Sequence, residues 1–181
     1  MKKITLCLIM LAFSTSIFSQ RIKSDEFDKF NKVRVIETYY ETLFKNFNFA
    51  ALNTKDGVNF ALRKYGESYI LLADIKNEKR IEFVEGNNMV LLLDNDSTVT
   101  MNNNYVGKAT KSWVGRDVTA NSFTTTFNIE AKDVPLLRNN RITAIRIRHA
   151  SGSFDGNIKK NNQDLIQKMF IAIDKEESKS K

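Results

Sequence analysis

Few residues in this chain are of a type that does chemistry. His149 is the one histidine, and Ser151, Ser153 and Asp155 follow it closely. A nucleophile, a base and an orienting carboxylate are therefore present as types, but a hydrolase needs them to converge in space, and no nucleophile-elbow pattern accompanies them. The plain expectation is a strand-end histidine. Asp94-Asn95-Asp96-Ser97-Thr98 resembles the start of a calcium loop, yet Val99 stands where the loop needs Gly and Tyr105 where it needs Glu. A hairpin turn is expected there instead. A zinc site takes several His or Cys ligands, and glycine-rich phosphate loops have no counterpart here. Asp74, Glu82 and Glu85 read as strand-end acids; no pair among them is marked for glycoside hydrolysis. No metal and no cofactor are expected.

Two sets of residues point to binding. Arg138, Arg141, Arg146 and Arg148 form a basic group, extended by Lys159 and Lys160. Arg146 and Arg148 lie two apart on a strand, so their guanidinium forks share a face and can grip phosphate or sulfate. The alternative is a solvated face paired with acids of neighbouring strands. Tyr105 and Trp113 fall in an irregular stretch, where aromatic rings either stack on a sugar or cover the core.

The elements that must position these residues centre on 123–148. In Phe123-Thr124-Thr125-Thr126-Phe127-Asn128-Ile129 every second residue is apolar, apart from Thr125, which is the period of a half-buried strand. Asp133, Pro135 and Leu136-Leu137 predict a short helix over about 133–138. Asn139-Asn140, which tolerate left-handed backbone, end it. A second strand runs over 141–148, with Thr143, Ile145 and Ile147 on one face and Arg146 and Arg148 on the other. Parallel and antiparallel pairing of the two strands are both open.

Elsewhere the chain reads as short strands and turns. Strands are expected over 33–43, 47–52, 58–65, 69–75, 80–84 and 98–101, with 89–93 continuously apolar and hence covered on both sides. Turns are expected at Thr54-Lys55-Asp56-Gly57, Gly66-Glu67, 85–88 and 94–97. Residues 102–120 are irregular and 150–156 a loop. Leu165, Ile166, Met169, Phe170 and Ile173 form one helical stripe, predicting an amphipathic helix over about 158–174. The fold class is mainly β, an antiparallel sandwich or open barrel with one short helix and a C-terminal amphipathic helix. Domain organisation follows: an arm over 20–32, a single β-rich domain over 33–174 and a charged tail over 175–181.

Residues 1–19 carry the address. Lys2-Lys3 precede an apolar run from Ile4 to Phe13 and the small, polar Ser14-Thr15-Ser16, the layout of a secretory signal peptide cut after Ser19. The apolar run is shorter than a membrane span needs, so no transmembrane segment is expected in the mature chain. Cys7 lies inside the signal, so the mature chain forms no disulfide although export would permit one. Without Lys2 and Lys3, 26 basic residues face 21 acidic ones. That mild excess suits anionic glycans, lipopolysaccharide or membrane surfaces and gives no argument for nucleic acid.

The segment ending Ile17-Phe18-Ser19-Gln20 is similar to the signals of flavobacterial secreted proteins. The patterns Asp28 to Thr38, Lys55-Asp56-Gly57, Met89 to Thr98, Ile129 to Leu137 and Ile142 to Ile147 resemble uncharacterised exported β-rich proteins of Bacteroidetes. That resemblance implies a sandwich-like exported domain and brings no activity or site residue. The functional expectation is an exported non-enzymatic binding or accessory module of a Gram-negative envelope, periplasmic or extracellular. It would recognise an anionic envelope component or a partner protein through the Arg146/Arg148 face. The rival expectations are a secreted hydrolase with a site near His149 and a structural subunit assembling through an edge strand.

Overall fold

The computed structural model describes residues 21–48, 53–77, 82–84, 86–103, 107–108, 110–113, 119–150 and 152–179. The expected signal segment lies outside them. The strands are β1 (Ile22–Asp28), β2 (Val33–Thr38), β3 (Glu41–Asn48), β4 (Asn53–Tyr65), β5 (Ser68–Asn77), β6 (Glu82–Phe83), β7 (Asn88–Leu93), β8 (Thr98–Asn102), β9 (Gly107–Lys108), β10 (Thr110–Trp113), β11 (Thr119–Ile129), β12 (Ile142–His149) and β13 (Gly152–Asn157). The helices are α1 (Val134–Asn139) and α2 (Leu165–Ser178). A large antiparallel sheet runs β1-β2-β4-β5-β11-β10, with β3 also on β4, and a smaller one runs β13-β12-β7-β8. Strands β6 and β9 form a separate ribbon. The architecture is a β-sandwich and the sheets do not close into a barrel.

Side chains alternate across each strand, and the register places one set inward. Phe60, Leu62, Leu71, Ile75, Phe123 and Phe127 of the large sheet meet Met89, Leu91, Ile145 and Ile147 of the small one in a single apolar core. Each buried aromatic or aliphatic side chain of this kind contributes roughly 1.5–3 kcal/mol. The stripe Leu165, Ile166, Met169, Phe170 and Ile173 completes that core, as α2 packs against β1, β2 and β4. The strands flanking α1 belong to different sheets, so α1 carries the chain from one layer to the other.

Several expectations are corrected. The arm over 20–32 contains the edge strand β1, whose exposed edge and outer face give it a surface composition. The strand expected over 33–43 breaks at Tyr39-Tyr40 into β2 and β3, which lie end to end along the same side of β4. At the break the Thr38 hydroxyl accepts the Leu62 amide hydrogen bond at 2.9 Å, replacing a ladder bond. Asp56-Gly57 is no turn: both residues sit mid-strand, Gly57 opposite Lys45 on one side and Lys76 on the other. A local turn preference yields when two neighbouring strands claim the backbone. Strand β7 is covered on one face only, with Leu92 left 37 % exposed.

Further differences concern shorter pieces. The strand expected over 47–52 survives as the end of β3, residues 49–52 lying outside the described set, and of that expected over 80–84 Glu82–Phe83 form β6 while 80–81 lie outside the described set. Residues 102–120 include β9 and β10, and residues 152–156 of the expected loop lie in the edge strand β13. Helix α2 begins at Leu165, after a 3-10 turn at Lys160–Asn162, and runs into the expected tail as far as Ser178. Asp133 precedes α1 without a side-chain cap bond, and Asn140 ends it in extended backbone, its side-chain amide donating to the Leu136 carbonyl at 2.9 Å.

Candidate functional site

The outer face of the small sheet holds the site. Cross-strand register fixes two parallel rows: Asn157, Ala144, Leu92 and Thr98 in one, Asp155, Arg146, Val90 and Thr100 in the next. The first row is apolar in the middle and polar at its ends, whereas in the second Arg146 lies between Asp155 and Val90. Val90, Leu92 and Ala144 floor a cleft of about 320 Å³, with Arg146 and Arg148 on its wall. A bulge between Ile142 and Ala144 turns Ile142, Ile145 and Ile147 inward and leaves Arg146 and Arg148 outside.

The two arginines differ electrically. Arg146 faces Asp155 across the β12–β13 hairpin and donates two parallel bonds, Nε to Oδ1 at 2.8 Å and Nη2 to Oδ2 at 2.6 Å. Those bonds hold the Asp155 carboxyl below its ordinary range and raise Arg146. Arg148, exposed and opposite Ser153, has no hydrogen-bond or ion-pair partner among the described residues. An acceptor-rich anion entering the cleft therefore meets one free guanidinium fork and one already oriented by a carboxylate.

The rest of the basic group is dispersed. Arg141 begins the connection into β12, some 23 Å along the strand from Arg148 at the usual rise; its backbone amide donates to Asp94 at 3.1 Å. Arg138 is bound into the helix side of the fold. It pairs with Asp174, donates to the Tyr69 hydroxyl at 2.9 Å and stacks 4.5 Å over Phe170. Lys159 lines a small neighbouring cleft that shares Asn157 with the main one, whereas Lys160 starts the 3-10 turn. Trp113 ends β10 on the large sheet, its backbone opposite Thr119. Tyr105 lies outside the described residues.

Of the described residues near His149 in sequence, Ser153 and Asp155 do not converge on it. His149 points to the opposite side of β12 from Arg146 and Arg148, whose cross-strand neighbours are Asp155 and Ser153. Burial pushes its imidazole pKa below the ordinary value. Ser151 is outside the described set.

One constellation has no announcement in the sequence. On the outer face of the large sheet Glu37, 3 % exposed, accepts from Lys23 at 2.6 Å and from Arg63 at 2.5 and 2.8 Å. Beside it a chain of bonds joins Thr42, Asn59, Asp74 and Ser122 across four strands. Tyr40 lies between the two groups: burial first, then the charges of Glu37 and Asp74, push its phenol up. Every carboxylate here is occupied, so the network ties strands together and offers no free acid or base. Only strand order brings these residues together. The one available signal was polar residues recurring at alternate positions.

Among the described residues no cluster of three or more His, Cys, Asp or Glu could hold a metal ion. No described helix is long and apolar enough to cross a membrane. Comparison with known proteins finds no significant match among family models, curated proteins or solved structures.

Proposed function

We propose that this chain is an exported binding module of a Gram-negative envelope that holds an anionic, partly apolar ligand in the cleft on the small sheet. The observation that supports this is Arg148. It is the guanidinium without a partner among the described residues, on the wall of a cleft whose floor, Val90, Leu92 and Ala144, is apolar. Phosphate or sulfate satisfies the fork, and an acyl or sugar face covers the floor. Lipopolysaccharide, with phosphates beside acyl chains, fits that description better than a neutral glycan. The signal-like pattern of Lys2 to Ser19 supports the export part of the reading.

The test is binding of the chain from Gln20 onward, which contains every described strand and helix, to lipopolysaccharide and to anionic and neutral glycans at low and moderate salt. Arg148→Glu is expected to weaken anionic binding about tenfold or more, since a charge-assisted contact contributes about 1.5–3 kcal/mol. Arg141→Glu, an exposed position far along the strand from Arg148, serves as the charge-matched control. Unchanged affinity in Arg148→Glu refutes the assignment.

A further inference from the structure

The tip of the β1–β2 hairpin presents apolar surface in a form the fold does not use. Phe30 is 97 % exposed and Phe27 61 %, whereas Phe44, Phe60, Phe123, Phe127 and Phe170 are buried. The turn between β1 and β2 is nevertheless tightly built. The Asp28 carboxylate accepts the Phe30 amide at 2.9 Å and the Asn31 amide at 3.1 Å, takes the Asn31 side chain at 2.8 Å, and is reached by the Tyr65 hydroxyl at 3.0 Å. Those contacts, led by the Asn31 side chain, lower the Asp28 pKa to about 2. Lys32 closes the turn at a left-handed φ of 55°. The ring of Phe30 thus stands in solvent on an ordered scaffold, and burying it costs little further ordering.

Its flanks decide what would cover it. Lys29 and Lys32 bracket Phe30, both exposed and both without a partner among the described residues. Of the nearest acids, Asp28 is turned back into the turn, Glu26 lies behind it on β1, and Glu67 sits on the adjoining β4–β5 turn. That turn packs beside Val33, whose Cγ1 lies 3.5 Å from where a Cβ on Gly66 would stand. Residues 29–32 lie beyond this contact, at the free end of the sheet. An apolar ring flanked by two lysines at a protruding tip matches the boundary of a bilayer, where aromatic rings enter the headgroup layer and lysines meet anionic lipid.

We infer that the Phe27–Lys32 tip is a membrane-contact element that inserts Phe30 between lipids bearing anionic headgroups. The surface is separate from the cleft on the small sheet and does not depend on the function proposed for it. The experiment is sedimentation of the chain from Gln20 onward with vesicles of phosphatidylcholine alone and mixed with phosphatidylglycerol. Binding is expected to the mixed vesicles. It should fall about tenfold or more in Phe30→Ser, as expected for losing one buried aromatic ring, and also in Lys29→Glu/Lys32→Glu, and weaken with salt. Because these side chains touch no core residue, thermal unfolding should be unchanged in the variants. Absence of vesicle binding, or equal binding by Phe30→Ser, overturns the inference. So does a concentration-dependent dimer that Phe30→Ser abolishes while vesicle binding persists, since the ring would then cover a second copy of the chain.

Discussion

Replacing Glu37 by Gln tests the reading of the large sheet's outer face. The carboxylate lies on β2 opposite Arg63 of β4, and it accepts three bonds from Lys23 and Arg63 at 2.5–2.8 Å. Breaking a fully buried ion pair costs about 3–5 kcal/mol, and a solvent-exposed pair contributes about 0–1 kcal/mol. Glu37 falls between these limits. Its own side chain is 4 % exposed, but those of Lys23 and Arg63 are 48 % and 36 % exposed, so both cations rehydrate once the carboxylate is gone. A loss of about 2 kcal/mol at neutral pH follows, which is a fall in Tm of about 4–8 °C for a chain of this size. Burial pushes the Glu37 carboxyl up, but the bonds and charges of Lys23 and Arg63 outweigh it and hold it below its ordinary 4.5. The folded state therefore binds this proton less readily than the unfolded chain. The stabilisation is complete above about pH 4.5 and is lost as pH falls through the lower folded value. Denaturant titrations of wild type and Glu37→Gln should show a gap that closes in acid. A gap under about 0.5 kcal/mol at neutral pH, or one that persists undiminished in acid, refutes the reasoning.

Two other changes test the packing and separate stability from binding. Gly156→Ala places a Cβ 3.0 Å from two ring atoms of the buried Phe44, across the seam between the sheets; a loss of about 1–3 kcal/mol is expected, and an unchanged midpoint in urea counts against that seam. Arg138→Ala removes a guanidinium stacked on Phe170 and tied to Asp174 and Tyr69, and should cost about 1–2 kcal/mol while leaving lipopolysaccharide affinity alone. Reduced affinity at full stability would move Arg138 back among the binding residues.

Much of the fold was legible because burial imposes a local period. The apolar residues of 123–129, the inward Ile145 and Ile147, and the stripe from Leu165 to Ile173 all face the core as their spacing predicts. The Gly66-Glu67 and 94–97 turns are also where their residue types put them. Edge strands escaped for the complementary reason. Strands β1 and β13 are wetted on one edge and most of one face, so their charged and small residues look like arm and loop. Asp56-Gly57 misled because a two-residue preference is weaker than pairing on both sides.

The candidate site divides in the same way. That Arg146 and Arg148 share an outward face follows from the two-residue period of a strand, and needs no structure. Which of them is free does not. It depends on Asp155 landing opposite Arg146 and Ser153 opposite Arg148, a consequence of the hairpin register. The dispersal of Arg138 onto Phe170 and Asp174 depends on where α2 packs. The same holds for the union of Lys23, Glu37 and Arg63, drawn from three strands. Sequence by itself determined which side chains alternate and which faces are apolar, because those are properties of consecutive residues on a repeating backbone. Only the tertiary structure decided which charges meet, because pairing energies act over a few ångströms between segments whose proximity the chain order does not encode.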